Sequence, residues 1–180
     1  MRFLTYFTEL MQTPEPNYWI TKHNQLFQDN NGDIILVPRY FITDGYTIPE
    51  WIAWLAGGRM KYDIRSAIEH DLECKFHYYI KVHLTEKELW DKGFLKLHKK
   101  TLGNDTFLIP ICEDIPIEYL SIEPTTFNET NSRFKRMMSA SGLIKKWRVN
   151  LMRFGVNFNF SWFIEGRKDL DLNKLYKEVF

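Results

Sequence analysis

Leu26-Phe27-Gln28-Asp29-Asn30-Asn31-Gly32-Asp33-Ile34-Ile35-Leu36-Val37-Pro38 reads as the heart of a β-hairpin. Asp29, Asn30, Asn31 and Gly32 are residue types that tolerate positive φ at a tight turn. Ile34 to Val37 is rich in β-branched residues, and Pro38, with no N–H to give to a ladder, stops it. The predicted hairpin spans Leu26 to Phe41. A loop follows, Thr43-Asp44-Gly45-Tyr46-Thr47-Ile48-Pro49, and then a short helix from Glu50 to Ala56 that runs out at Gly57-Gly58.

Helical signals come next. Ile64, Ile68, Leu72 and Tyr79 recur on one face of a helix predicted from Tyr62 to Lys81. A second helix begins at Thr85, whose hydroxyl can cap it while Glu88 reaches back to the cap N–H. Leu84 and Leu89 complete a hydrophobic staple, and Trp90, Phe94 and Leu97 form a stripe for burial. The few residues between the helices imply an antiparallel αα-hairpin. Residues 1–25 are aromatic and irregular, broken by Pro14 and Pro16. Thr101 to Thr130 is equally irregular, with Pro110, Pro116 and Pro124. A further helix is expected over Ser132 to Met152, kinked near Gly142, and a short last one over Asp171 to Phe180. The fold class is therefore α+β: a β-hairpin, an αα-hairpin and a further C-terminal helix.

The 180 residues suit a single domain, with a core over 26–150 and an extension over 151–180. Apolar residues make up 44% and aromatics 16%, which supports a real core and argues against global disorder. A net charge of +1 argues against a generally basic nucleic-acid binder. Two cysteines, Cys74 and Cys112, make no disulfide framework, so folding in a reducing bacterial cytoplasm is the simpler expectation. No apolar run is long enough to span a bilayer, and the opening residues lack the pattern of a signal peptide.

Chemistry concentrates on the two predicted helices. On a wheel at 100° per residue, Asp71 falls within the arc of Ile64, Ile68 and Leu72. A carboxylate on that face needs a partner or a metal ion. His70 lies about 100° away on the same wheel, and Asp91 flanks the stripe of the facing helix. In that arrangement Asp91 fixes the tautomer of His70 and stabilises its imidazolium, making His70 a general base. Asp71, with further oxygens from Asp44 and Gly45 in the glycine-containing loop, would hold a hard cation. The alternative reading of the same residues is a buried polar network that serves the structure.

Two resemblances attach to these residues. Val37 to Pro49, then Ala67-Ile68-Glu69-His70-Asp71, then Trp90-Asp91-Lys92-Gly93-Phe94 resemble the ordered motifs of the phage and prophage family of unknown function numbered 1353. Thr47 stands where that family has serine, and Cys74 where it has tyrosine. The resemblance implies a lineage and no reaction. The same parts are more weakly similar to the His-Asp site of bacterial-type phospholipase A2. That likeness implies His70 as base, Asp71 and Asp44 as calcium ligands and Asp91 as the orienting carboxylate, without the disulfides and with Cys74 in place of a supporting tyrosine.

Two further signals compete. His70, Cys74 and His77, with Glu73 close by, have zinc-like helical spacing but no well-placed fourth ligand, so zinc is disfavoured. Between Glu129 and Glu165 there is no acidic residue, while Arg133, Lys135, Arg136, Lys145, Lys146, Arg148 and Arg153 all occur. With Trp147, this basic stretch would dock on a phage structural protein or an anionic membrane; specific nucleic-acid binding is not expected. The sequence thus favours a non-enzymatic phage component, virion-associated or host-directed, over a calcium-dependent ester hydrolase.

Overall fold

The computed structural model describes residues 1–5, 9–14, 18–43, 64–141 and 145–157. The Asp44–Pro49 loop, the helix expected at 50–56, the kink at Gly142, the aromatic run from Phe158 and the helix expected at 171–180 lie outside the described residues.

The hairpin forms as expected. β4 (Gln25–Gln28) and β5 (Ile34–Val37) pair antiparallel, with Leu26 opposite Leu36. Gly32 sits at φ +91°, where a side chain would be strained. The Asp29 carboxylate ties the turn by accepting from the N–H groups of Asn31 (2.8 Å) and Asp33 (3.1 Å). β5 is buried on both faces, which explains a continuous apolar run in an antiparallel strand. Ile34 and Leu36 join one core, with Leu26, Ile80 and Leu89; Ile35 and Val37 join the other, with Phe27, Ile68 and Leu72.

The expected αα-hairpin does not form. The first helix, α1 (Arg65–Phe76), ends at His77, which takes the left-handed conformation at φ 61°. Tyr78–Val82 is instead a strand, β7, between β5 and β10 (Leu120–Pro124). Tyr79 matches the helical stripe, but Tyr78-Tyr79-Ile80-Lys81-Val82 is richer in strand formers. Ile80 and Val82, two apart, both point into one core. With β1 (Arg2–Phe3) these strands complete a five-stranded antiparallel sheet in the order β1-β4-β5-β7-β10. A smaller sheet joins β2 (Leu10–Gln12), β3 (Trp19–Thr21) and β6 (Ile42–Thr43), so the opening residues, expected to be irregular, contribute strands.

The second helix, α2 (Glu86–Asp91), starts at Thr85 with both halves of the capping box in place. Leu84 and Leu89 are buried in the same core, as the staple requires. It stops early. Gly93 adopts φ +77°, and the chain turns into β8 (Leu95–Leu102), paired along its length with β9 (Asp105–Cys112). Trp90 and Leu97, expected to be buried, are exposed. Thr85→Ala should lower unfolding stability by about 1 kcal/mol, the usual value of such a cap, read from the urea midpoint at unchanged slope. A change below about 0.3 kcal/mol would mean that α2 is held by Leu89 packing alone.

The long helix expected from Ser132 is two helices, α3 (Phe127–Ala140) and α4 (Lys146–Asn157). A second capping box, Thr126 with Glu129, starts α3 five residues before Ser132. α1 packs between the sheet and α3, and α3 also packs on α4. Antiparallel sheets and helices together make the fold α+β.

Candidate functional site

Every residue of α1 from Ser66 to Cys74 is buried, including Glu69, His70, Asp71 and Glu73. A helix covered on all sides leaves no solvent-facing stripe, so each ionisable group needs a partner within the protein. α3 supplies most of them, through Asn131 and Arg133.

His70 meets Asn131, with Nε2 and Oδ1 2.9 Å apart. An amide oxygen only accepts, so Nε2 carries the proton and donates it. The ring lies 4.7 Å from that of Phe134, and Cys74 Sγ sits 3.5 Å from Nε2. Asp91, the expected orienting carboxylate, is exposed on α2 and forms no hydrogen bond with His70. The cause is the intervening strand: β7 carries the chain away from α1 before α2 begins, so the two helices are not neighbours along a common seam. Asn131 fixes the tautomer as an aspartate would. It brings no negative charge to stabilise an imidazolium.

Asp71 accepts a hydrogen bond from the Thr43 hydroxyl at the end of β6, which holds α1 against the smaller sheet. Asp44 and Gly45, the other expected calcium ligands, lie outside the described residues. Among the described residues no group of three His, Cys, Asp or Glu side chains is placed to hold a metal ion. His77, third in the zinc-like spacing, is the left-handed residue that closes α1. Burial pushes the Cys74 thiol well above its ordinary range, and the charges of Asp71 and Glu69 push the same way. It is a thiol at neutral pH, neither nucleophile nor ready metal ligand.

The strongest electrostatics lie one turn along, at residues outside the expected site. Glu73 and Arg133 form a close buried ion pair. The Arg133 guanidinium also stands 4.3 Å over the Tyr79 ring. Thr125 donates to the second Glu73 oxygen at 3.5 Å and shares a bond with Thr130 at 3.2 Å. Glu69 is 3.7 Å from Arg133, yet neither of its fully buried oxygens accepts a hydrogen bond. Desolvation raises its pKa to about 7 against the opposing pull of Arg133 and Arg136. Arg133, expected on a docking surface, is therefore a buried counter-ion. Arg136, Lys145, Lys146 and Trp147 are exposed as expected, with Trp147 54% accessible. The spacing of Glu69 and Glu73, four apart on an apolar helix, was the signal for a buried cation; only the fold identifies Arg133 as that cation.

Comparison with family models, with curated protein sequences and with solved structures returns no match for this chain. Chemically, the α1–α3 seam can cross-brace two helices and hold a proton on Glu69. Within that seam the Nε2 proton of His70 goes to a neutral amide.

Proposed function

We propose that this chain is a non-enzymatic, phage-encoded component, incorporated in the virion or directed at the host, in which His70 and Asp71 brace the fold. The observation that carries this reading is His70 itself: it is 5% exposed, its proton is committed to a neutral amide, and Asp91 stands at the surface elsewhere. General-base catalysis wants an imidazole that reaches water and a charge that stabilises its protonated form. His70 is instead buried, and the group that takes its Nε2 proton is a neutral amide. The phage attribution rests on the ordered motifs of residues 37–49, 67–71 and 90–94. Exposed Arg136 and Trp147 are residue types that protein interfaces favour, with Lys145 and Lys146 beside Trp147, so a phage structural protein is the partner this reading names. No helix among the described residues is long and apolar enough to cross a membrane.

The competing reading is a calcium-dependent ester hydrolase, and one experiment separates the two. The melting temperature and the hydrolysis of anionic phospholipid vesicles are measured with millimolar calcium and with magnesium. A structural component shows equal melting temperatures in the two salts and no hydrolysis above buffer. A calcium-specific rise abolished by Asp71→Asn, with turnover abolished by His70→Asn, would replace the structural reading by the hydrolase.

A further inference from the structure

The basic residues that do not serve the α1–α3 seam gather on the other side of α3. At 100° per residue, Ser132, Lys135, Arg136 and Ser139 fall in an arc opposite the buried stripe of Thr130, Phe134 and Met137. This arc forms one wall of a cleft of about 560 Å³. Arg153 of α4 and Asn30 of the β4–β5 turn line it from two other elements. No acidic residue is among the described lining residues.

Among the described residues no carboxylate forms an ion pair with the cations of this cleft, although Arg136 acts at longer range on buried Glu69. Arg133, on the same helix, is bracketed by Glu69 and Glu73, whereas Lys135, Arg136 and Arg153 make no ion pair among the described residues. Three cations lining one cavity with no acidic residue among its described lining are unfavourable. The Ser132 side chain forms no hydrogen bond among the described residues, leaving its hydroxyl ready to donate. A tetrahedral anion with several acceptor oxygens answers all of these groups together, since guanidinium, ammonium and hydroxyl donors suit phosphate oxygens.

We propose that the cleft between α3, α4 and the β4–β5 turn binds the phosphate group of a small phosphorylated ligand. Its volume lies within the range of about 300–1,000 Å³ typical of small-molecule sites, which leaves room for an organic part beside the phosphate. That part is either a soluble metabolite or the glycerol end of a lipid headgroup. The cleft is separate from the His70 seam, and its function does not depend on whether His70 is catalytic.

The test uses the full chain and two probes. At constant ionic strength, inorganic phosphate in place of chloride should raise the melting temperature by about 4 °C at tenfold excess over its dissociation constant. Arg153→Gln and Ser132→Asp should each remove the rise. Ser132→Asp changes a part-exposed helix position, so a folded variant is at hand if Arg153→Gln unfolds. Lys145→Gln/Lys146→Gln, outside the cleft, should keep it. In the second arm, phosphatidic acid vesicles are compared with phosphatidylcholine vesicles by co-sedimentation. A phosphate-specific rise lost in the cleft variants supports a soluble ligand. Selective sedimentation with phosphatidic acid, lost in the cleft variants and kept in the Lys145/Lys146 variant, supports a headgroup. The proposal is overturned if phosphate and chloride are equivalent and neither vesicle binds. It is equally overturned if binding survives Ser132→Asp, or falls as much with the Lys145/Lys146 changes as with the cleft variants.

Discussion

Arg133→Met is expected to destabilise the protein by about 4 kcal/mol, because it leaves the Glu73 carboxylate buried without a counter-charge and forces Glu69 to take up a proton. Glu69 and Glu73 are both inaccessible on α1, and Arg133 is the cation between them. The two sides of this arrangement are unequal. Removing the charge of Glu73 leaves Arg133 with Glu69 at 3.7 Å, so Glu73→Gln should cost about half as much. Combining Arg133→Met with Glu69→Gln and Glu73→Gln should recover most of the loss, since no uncompensated charge then remains. Urea unfolding of the four proteins at pH 7 measures the series. A cost below about 1 kcal/mol for Arg133→Met would show that the pair is effectively solvated and does not brace α1 against α3.

Glu69 governs the pH dependence. Its folded-state pKa is raised from 4.5 to about 7 by desolvation, so the unfolded chain releases this proton more readily than the native one. The sign follows: the contribution of Glu69 to stability is fully present below about pH 4.5 and is lost as pH rises towards 7. The loss is on the order of 3 kcal/mol for a shift of this size. Glu69→Gln cannot ionise. It should match the wild type near pH 4.5 and exceed it by up to that amount at pH 8. Plotting the difference in unfolding free energy against pH isolates Glu69 from the other acids, and a flat difference would refute the assignment. The two predictions interact, because Arg133→Met removes the charge that holds Glu69 down and should shift its titration upward.

The expected site and the observed one share α1 and little else. Asp71 was legible because a carboxylate on an apolar helix face is conspicuous at 3.6-residue spacing, and His70 because it stands beside it. Their partners were not. Asn131 is sixty-one residues from His70 and Arg133 sixty from Glu73, so no local pattern links them. Arg133 belonged to a run of basic residues that looked uniform in sequence. The fold gives Arg133 to a buried carboxylate pair and leaves Lys135, Arg136 and Arg153 around an open cleft.

Local chemistry by itself determined the β4–β5 hairpin, its turn through Asp29 and Gly32, the start of α2 at the Thr85–Glu88 box and the α+β class. The turn and the cap depend on bonds within a few residues, which makes them legible locally, while the burial of β5 draws on two cores from the rest of the chain. Some of what was missed was also local. Gly103-Asn104, with Gly103 at φ +62°, is a two-residue hairpin loop between β8 and β9, in a segment whose prolines suggested irregularity. Where α1 ends is a different matter. Tyr78 to Val82 can satisfy its backbone in a helix or in a strand. The choice falls to the strand because β5 on one side and β10 on the other offer two complete ladders and a core for Ile80 and Val82. That competition is settled by residues distant in sequence on both sides, as in the pairs Ile34–Val82 and Val82–Leu120. With it go the loss of the αα-hairpin, the separation of Asp91 from His70 and the seating of α1 against α3.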